Sequence, residues 1–166
     1  MRPLQASRFA DTATLGNLYT LHPGDVACAT RGDRLETLLG SCVAIVLTDP
    51  RRTMGAMCHI VHCRPAPAEA PASAAYADVA LHSMYEMLRA HGINPLMCEA
   101  YIFGGGNMFP ELFPTSHVGT CNARWALEAL AADGVRVLSH DLGGNTYRRL
   151  AWTVGPDAPE VTAVAV

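Results

Sequence analysis

The stretch Val43-Ala44-Ile45-Val46-Leu47 constrains this chain more than any other. It is apolar at every position and rich in β-branched residues. A run of that kind and length predicts a strand buried on both faces, not one that alternates between core and solvent. The chain enters it through the permissive turn Leu39-Gly40-Ser41 and leaves it at the break Asp49-Pro50. The turn therefore delivers Cys42 to the head of a buried strand. A second apolar segment, Met54 to Val61, follows at hairpin distance and carries His59. Strand periodicity puts Gly55, Met57, His59 and Val61 on one face, with Cys58, Ile60 and His62 on the other.

Around this hairpin the pattern gives a strand over Val26–Thr30 and an approach over Leu35–Leu39. A Pro/Ala-rich loop covers 64–75, and a helix runs from Tyr76 to His91 and stops at Gly92. Ser73 is the candidate cap. Leu96–Phe103 reads as a strand, Val118–Asp133 as a helix with Trp125, Leu127 and Leu130 inward, and 135–140 and 147–154 as strands. Residues 1–20 show no sustained period and read as an N-terminal extension. Residues 21–157 make one domain and 158–166 a short tail. The order of elements predicts an α/β (α+β) fold, with two main helices covering one face of a mixed sheet.

Half of the 166 residues are apolar, and 16 % are charged, with a net charge of −3. No basic stripe marks a nucleic-acid surface. The longest clean apolar runs are far short of a membrane span, so no membrane insertion is expected. The N-terminus lacks an apolar leader, and the expected location is the cytoplasm. In such a reducing compartment the six cysteines (Cys28, Cys42, Cys58, Cys63, Cys98 and Cys121) are expected to be free thiols.

Two side chains in this framework carry possible chemistry. Cys42 follows a turn where backbone can approach a substrate closely and where N–H groups could hold an oxyanion. His59, seventeen residues on, is a base within reach on the adjacent strand. On these residues alone a packing cysteine and a carbonyl-bonded strand histidine are the commoner outcomes. Cys58-His59-Ile60-Val61-His62-Cys63 brings four metal-type ligands together in sequence. Strand alternation sends them to opposite faces, so no metal is expected. Gly104-Gly105-Gly106-Asn107 lacks the spacing of a phosphate loop and reads as a pocket-lining turn.

Taken together, the stretches Pro23-Gly24-Asp25, Leu38-Leu39-Gly40-Ser41-Cys42-Val43-Ala44, Gly55-Ala56-Met57-Cys58-His59 and Tyr76-Ala77-Asp78 resemble the CheD family of chemoreceptor glutamine deamidases. So do Gly104-Gly105-Gly106-Asn107-Met108-Phe109, Gly119 with Asn122, and Asp141-Leu142-Gly143-Gly144-Asn145. The resemblance covers about residues 21–155. It implies a compact fold similar to the catalytic domain of the cytotoxic necrotizing factor toxins. It also implies a nucleophile at Cys42, a base at His59, and no metal or organic cofactor. The pocket it implies includes Gly40, Ser41, Gly104, Gly105, Gly106, Asn107, Asn122, Gly144 and Asn145. The family's third catalytic residue, a threonine, falls on Glu36, with Thr37 one place later and facing the opposite way. Either residue is a candidate to orient His59. Many members carry a basic residue before the asparagine, where this chain has Thr120-Cys121. The implied substrates are glutamines of methyl-accepting chemotaxis receptors. The alternative role is regulatory pairing with a CheC-type phosphatase.

Overall fold

The computed structural model describes residues 7–8, 16–69, 71–114 and 117–164. Among the described residues, ten strands fall into two five-stranded mixed sheets, and two α-helices cover the outer face of one of them. The first sheet runs β1 (Ser7–Arg8), β2 (Asn17–Leu21), β4 (Arg34–Leu39), β9 (Tyr147–Thr153) and β10 (Glu160–Val164) in spatial order. The second runs β3 (Val26–Thr30), β6 (Met54–Cys58), β5 (Val43–Thr48), β7 (Glu99–Gly104) and β8 (Arg136–Leu142). Helices α1 (Ala77–Ala90) and α2 (Val118–Ala132) lie against this second sheet.

The layer count departs from the expected single sheet with helices on one face. Strand β5 is the reason. Its six residues are all buried. Val43, Ile45 and Leu47 pack into the core beneath the helices, while Ala44 and Val46 pack into a second core between the sheets. A strand with two apolar faces needs two covers, and β4, β9 and their neighbours supply the second. Trp152 on β9 fills much of that inter-sheet core, and Gly55 on β6 makes room for it. A Cβ at Gly55 would lie 2.1 Å from the indole.

Several expected boundaries move. Asn17–Leu21 is a strand that pairs parallel with β4, so the expected extension over 1–20 does not include residues 17–20. Residues 1–6 and 9–15 lie outside the described residues. Glu160–Val164 pairs with β9, so the tail expected over 158–166 contributes a strand. The 54–61 strand ends at Cys58, although Val43 and Ile60 still form a bridge beyond it. Tyr76, not Ser73, is the N-cap of α1 and makes no side-chain cap bond. The Ser73 hydroxyl instead accepts the N–H of Ala75 at 3.2 Å.

The expectation of six free thiols is also corrected. Cys63 and Cys121 form a disulfide, with Cα atoms 5.9 Å apart. It joins the segment after His59 to the first turn of α2. Cys28, Cys42, Cys58 and Cys98 are free.

Candidate active site

The site lies where the two sheets meet at the end of β5. The β5–β6 register pairs Val46 with Met57, and the Val43–Ile60 bridge continues it. That register sets Ala44 opposite His59 and Cys42 diagonally beside it. Residues opposed across an antiparallel pair share a face, and the diagonal neighbour shares it too. Cys42 and His59 therefore both point toward the inter-sheet space, and both line one cavity of about 560 Å³.

The third partner comes from the other sheet. The Thr37 hydroxyl lies 2.8 Å from His59 Nδ1 and 2.8 Å from the carbonyl of Leu21. A carbonyl can only accept, so the single hydroxyl proton goes to Leu21. Nδ1 must then donate its own proton to the Thr37 oxygen. The hydrogen-bond network thus assigns the Nδ1–H tautomer and leaves Nε2 as the basic nitrogen. Glu36 does not serve this purpose. Its carboxylate bonds Arg34 Nε at 2.8 Å and its side chain is about one-third exposed. Period-two alternation explains the choice. Leu35, Thr37 and Leu39 are buried and face the second sheet, while Arg34, Glu36 and Leu38 face away.

Electrostatics make the pair neutral in the resting protein. Burial is the main cause that pushes His59 down to about 4, opposed in part by Asp25. Burial also raises the Cys42 thiol above its ordinary value. Burial of both groups favours the neutral thiol and the neutral imidazole over a preformed thiolate–imidazolium pair. The N–H groups of Ser41 and Cys42 have no acceptor among the described residues, so both remain available to an incoming oxyanion.

The glycine turns hold the nucleophile loop through the backbone. Gly105 N–H donates to the Cys42 carbonyl and Gly106 N–H to that of Gly40, both at 2.9 Å. Gly104 has φ +112°, and a Cβ there would meet the Cys42 oxygen at 2.1 Å. Arg148, buried on β9, donates to the carbonyls of Gly104 and Gly143 and so ties the two turns together.

Of the expected pocket residues, Gly40, Ser41, Gly106 and Asn107 line the cavity. Gly104, Gly105 and Gly144 support it from behind; the Gly144 carbonyl accepts Asn107 N–H at 2.8 Å. Asn145 is exposed and outside the wall, and Asn122 is buried behind it. Sequence reasoning missed the apolar rim, where Leu38, Phe109, Phe113 and Val118 are exposed. Asn107 builds part of that rim by donating to the Phe113 carbonyl at 2.6 Å and accepting from Phe109 N–H. Three large apolar residues, Phe109, Leu112 and Phe113, in a loop punctuated by Pro110 and Pro114 are the available signal. Pro23, Met108, His117 and Tyr147 also line the cavity. The four ligand-type residues of 58–63 do not converge. Cys58 packs in the helix-side core, His59 faces the sheets, and Cys63 is disulfide-bonded.

A thiol and an imidazole lining one cavity, with the imidazole held at Nδ1 by a third group, are the residue types that nucleophilic hydrolases also use. The sequence comparisons place it within a family. The model of the CheD family, described as chemotactic sensory transduction, matches residues 64–156. A protein of Pseudomonas fluorescens named probable chemoreceptor glutamine deamidase CheD is 38 % identical over 78 % of this chain and 75 % of its own length. A relative from Albidiferax ferrireducens with the same description is 38 % identical over 81 % of this chain and 80 % of its own. One from Methanococcus vannielii is 34 % identical over 75 % of this chain and 81 % of its own. A match spanning 78 % of the chain includes residues 42–59, whereas the family-model match begins after them, at residue 64. The chain belongs to the CheD family. Among solved structures, YfiH of Bacillus licheniformis is 15 % identical with a TM-score of 0.45, covering 80 % of this chain and 62 % of its own.

Proposed function

We propose that this protein is a chemoreceptor glutamine deamidase that hydrolyses glutamine carboxamides to glutamate through Cys42. The observation that carries this reading is the Thr37–His59 hydrogen bond beside Cys42, in a chain whose relatives bear that name. In the proposed reaction His59 Nε2 takes the Cys42 proton as sulfur attacks the carboxamide carbon. The Ser41 and Cys42 N–H groups receive the oxyanion. The imidazolium returns its proton to the departing ammonia, leaving a thioester. Water, deprotonated by His59, attacks the thioester, and the proton then passes to the leaving sulfur as glutamate is released. Thr37 holds Nδ1 throughout and compensates the transient positive charge.

The exposed apolar rim suits a substrate presented on the surface of a long receptor helix. Leu38, Phe109, Phe113 and Val118 would cover the apolar residues that flank the glutamine. Incubation with a soluble receptor fragment is expected to release ammonia and convert specific glutamines to glutamates, as read by peptide mass. Cys42→Ala is expected to abolish both. Equal conversion by the alanine variant would sink the thiol mechanism, and no conversion by the wild type would sink the substrate.

A further inference from the structure

The buried amide of Asn122 lies outside the cavity wall, yet it touches the backbone of both reacting segments. Its Nδ2 donates to the Ser41 carbonyl at 3.1 Å and to the Val61 carbonyl at 3.0 Å. Ser41 immediately precedes the thiol, and Val61 lies two residues after the imidazole. The two segments are otherwise joined by the Val43–Ile60 rung, whose bonds measure 3.0 and 2.8 Å. Past that rung the β5–β6 ladder stops: the Val61 and His62 N–H groups donate to Ala75, and no backbone N–H among the described residues donates to the Ser41 or Val61 carbonyl. The Asn122 NH₂ supplies the missing donors, one to each chain, and closes the ladder from outside the sheet.

Two further observations make this a placed group. Asn122 is fully buried, and its Oδ1 has no hydrogen-bond partner among the described residues. A buried amide oxygen without a partner is costly, so packing alone would favour an apolar residue here. The neighbouring residue Cys121 is bonded to Cys63, which ties the same turn of α2 to the same segment a second time. Asn122 and the disulfide thus grip residues 61–63 from one helix end, and the Ser41 bond extends that grip to the nucleophile turn.

We infer that Asn122 is a positioning residue that sets the spacing between the Cys42 sulfur and the His59 ring through their backbones. The inference rests on the reading of Cys42 and His59 as a reacting pair. Asn122→Asp keeps the shape but replaces both donors with an acceptor facing two carbonyls. Asn122→Leu keeps roughly the volume and removes the polarity. Each variant is assayed for kcat and KM on a receptor fragment, and for the pH dependence of Cys42 alkylation by iodoacetamide.

For both variants kcat is expected to fall by about 100-fold, the scale of a small misplacement of reacting groups. KM is expected to stay near the wild-type value, because the cavity wall is untouched. The alkylation profile is expected to move along the pH axis, since the thiol and imidazole no longer hold their spacing. A purely structural role would scale activity with the folded fraction and leave that profile in place, and this result would overturn the inference. A measurement on the wild type covers variants that do not fold. The Asn122 side-chain NH₂ is expected to exchange slowly with deuterium, and solvent-rate exchange overturns the clamp. Alkylation needs no receptor. A shifted profile in variants of a wild type that deamidates nothing would therefore sink the substrate assignment and leave the positioning role standing.

Discussion

Acidification is expected to weaken the native state through one side chain. His59 is buried, and burial holds its pKa at about 4, against about 6.5 in an unfolded chain. Above the unfolded value both states carry a neutral ring and pH has no effect. Between the two values the unfolded chain binds a proton that the native state refuses, so stability falls as pH falls. Below the native value both are protonated and the loss stops. The separation of the two values corresponds to about 3 kcal/mol, lost between roughly pH 6.5 and pH 4. Carboxylates titrate in the lower part of that window, so the wild type alone does not isolate the term. Urea unfolding of the wild type and His59→Leu, at intervals across the window, does isolate it. The wild type is expected to lose about 3 kcal/mol relative to His59→Leu as pH drops. The same burial predicts that turnover keeps its base at about pH 6 and loses it only near the native value. Parallel stability curves, or an activity break near pH 6.5, would mean that His59 is solvated in the native state, and the neutral-pair account would fall.

Thr37→Val removes the hydroxyl that bonds both His59 Nδ1 and the Leu21 carbonyl. It is expected to lower kcat by roughly 10²-fold with KM little changed, whereas Glu36→Ala, on the outer face, is expected to leave kcat near wild type; steady-state kinetics on a receptor fragment reads both. Cys63→Ser with Cys121→Ser opens a crosslink between residues 58 apart in sequence. Chain entropy puts that loss at about 4 kcal/mol, or roughly 10 °C in Tm, and an unchanged Tm in scanning calorimetry without reductant would count against the bond. Gly104→Ala drives a methyl into the Cys42 carbonyl, while Gly143→Ala, also at positive φ, meets nothing within 4 Å. Gly143→Ala is expected to cost only about 1–2 kcal/mol and Gly104→Ala clearly more, so equal midpoints in urea would refute the close packing of the two turns.

The strands and helices were largely legible because hydrophobic period and punctuation agree along most of the chain. The five apolar residues from Val43 already required cover on both faces, although nothing local said that the second cover would be another sheet. That layer is assembled from β1, β2, β4, β9 and β10, drawn from the two ends of the chain, and β1, β2 and β10 fall in stretches that read as an extension and a tail. The pairing of Cys42 with His59 in one cavity was legible from hairpin spacing and family resemblance together. The contest between Glu36 and Thr37 was in principle decidable from alternation, since Thr37 shares its parity with Leu35 and Leu39 and Glu36 shares its own with Arg34. The Cys63–Cys121 bond was not legible. Its partners are far apart in the chain, and the assumption of a reducing compartment pointed away from it. The family motif marks Asn122 without saying which way its side chain points, and the structure buries it behind the cavity wall.

The hydrogen bond between Thr37 and His59 crosses from one sheet to the other. A state with both sheets formed but not docked on each other would lack this bond. Turnover is therefore a gauge of how the layers are docked, finer than any measure of secondary structure. A state in which the sheets persist but slip past one another would keep its strand signal in circular dichroism and fall silent as an enzyme. In a denaturant series, the gap between loss of turnover and loss of ellipticity would read out the strength of the seam between the two sheets.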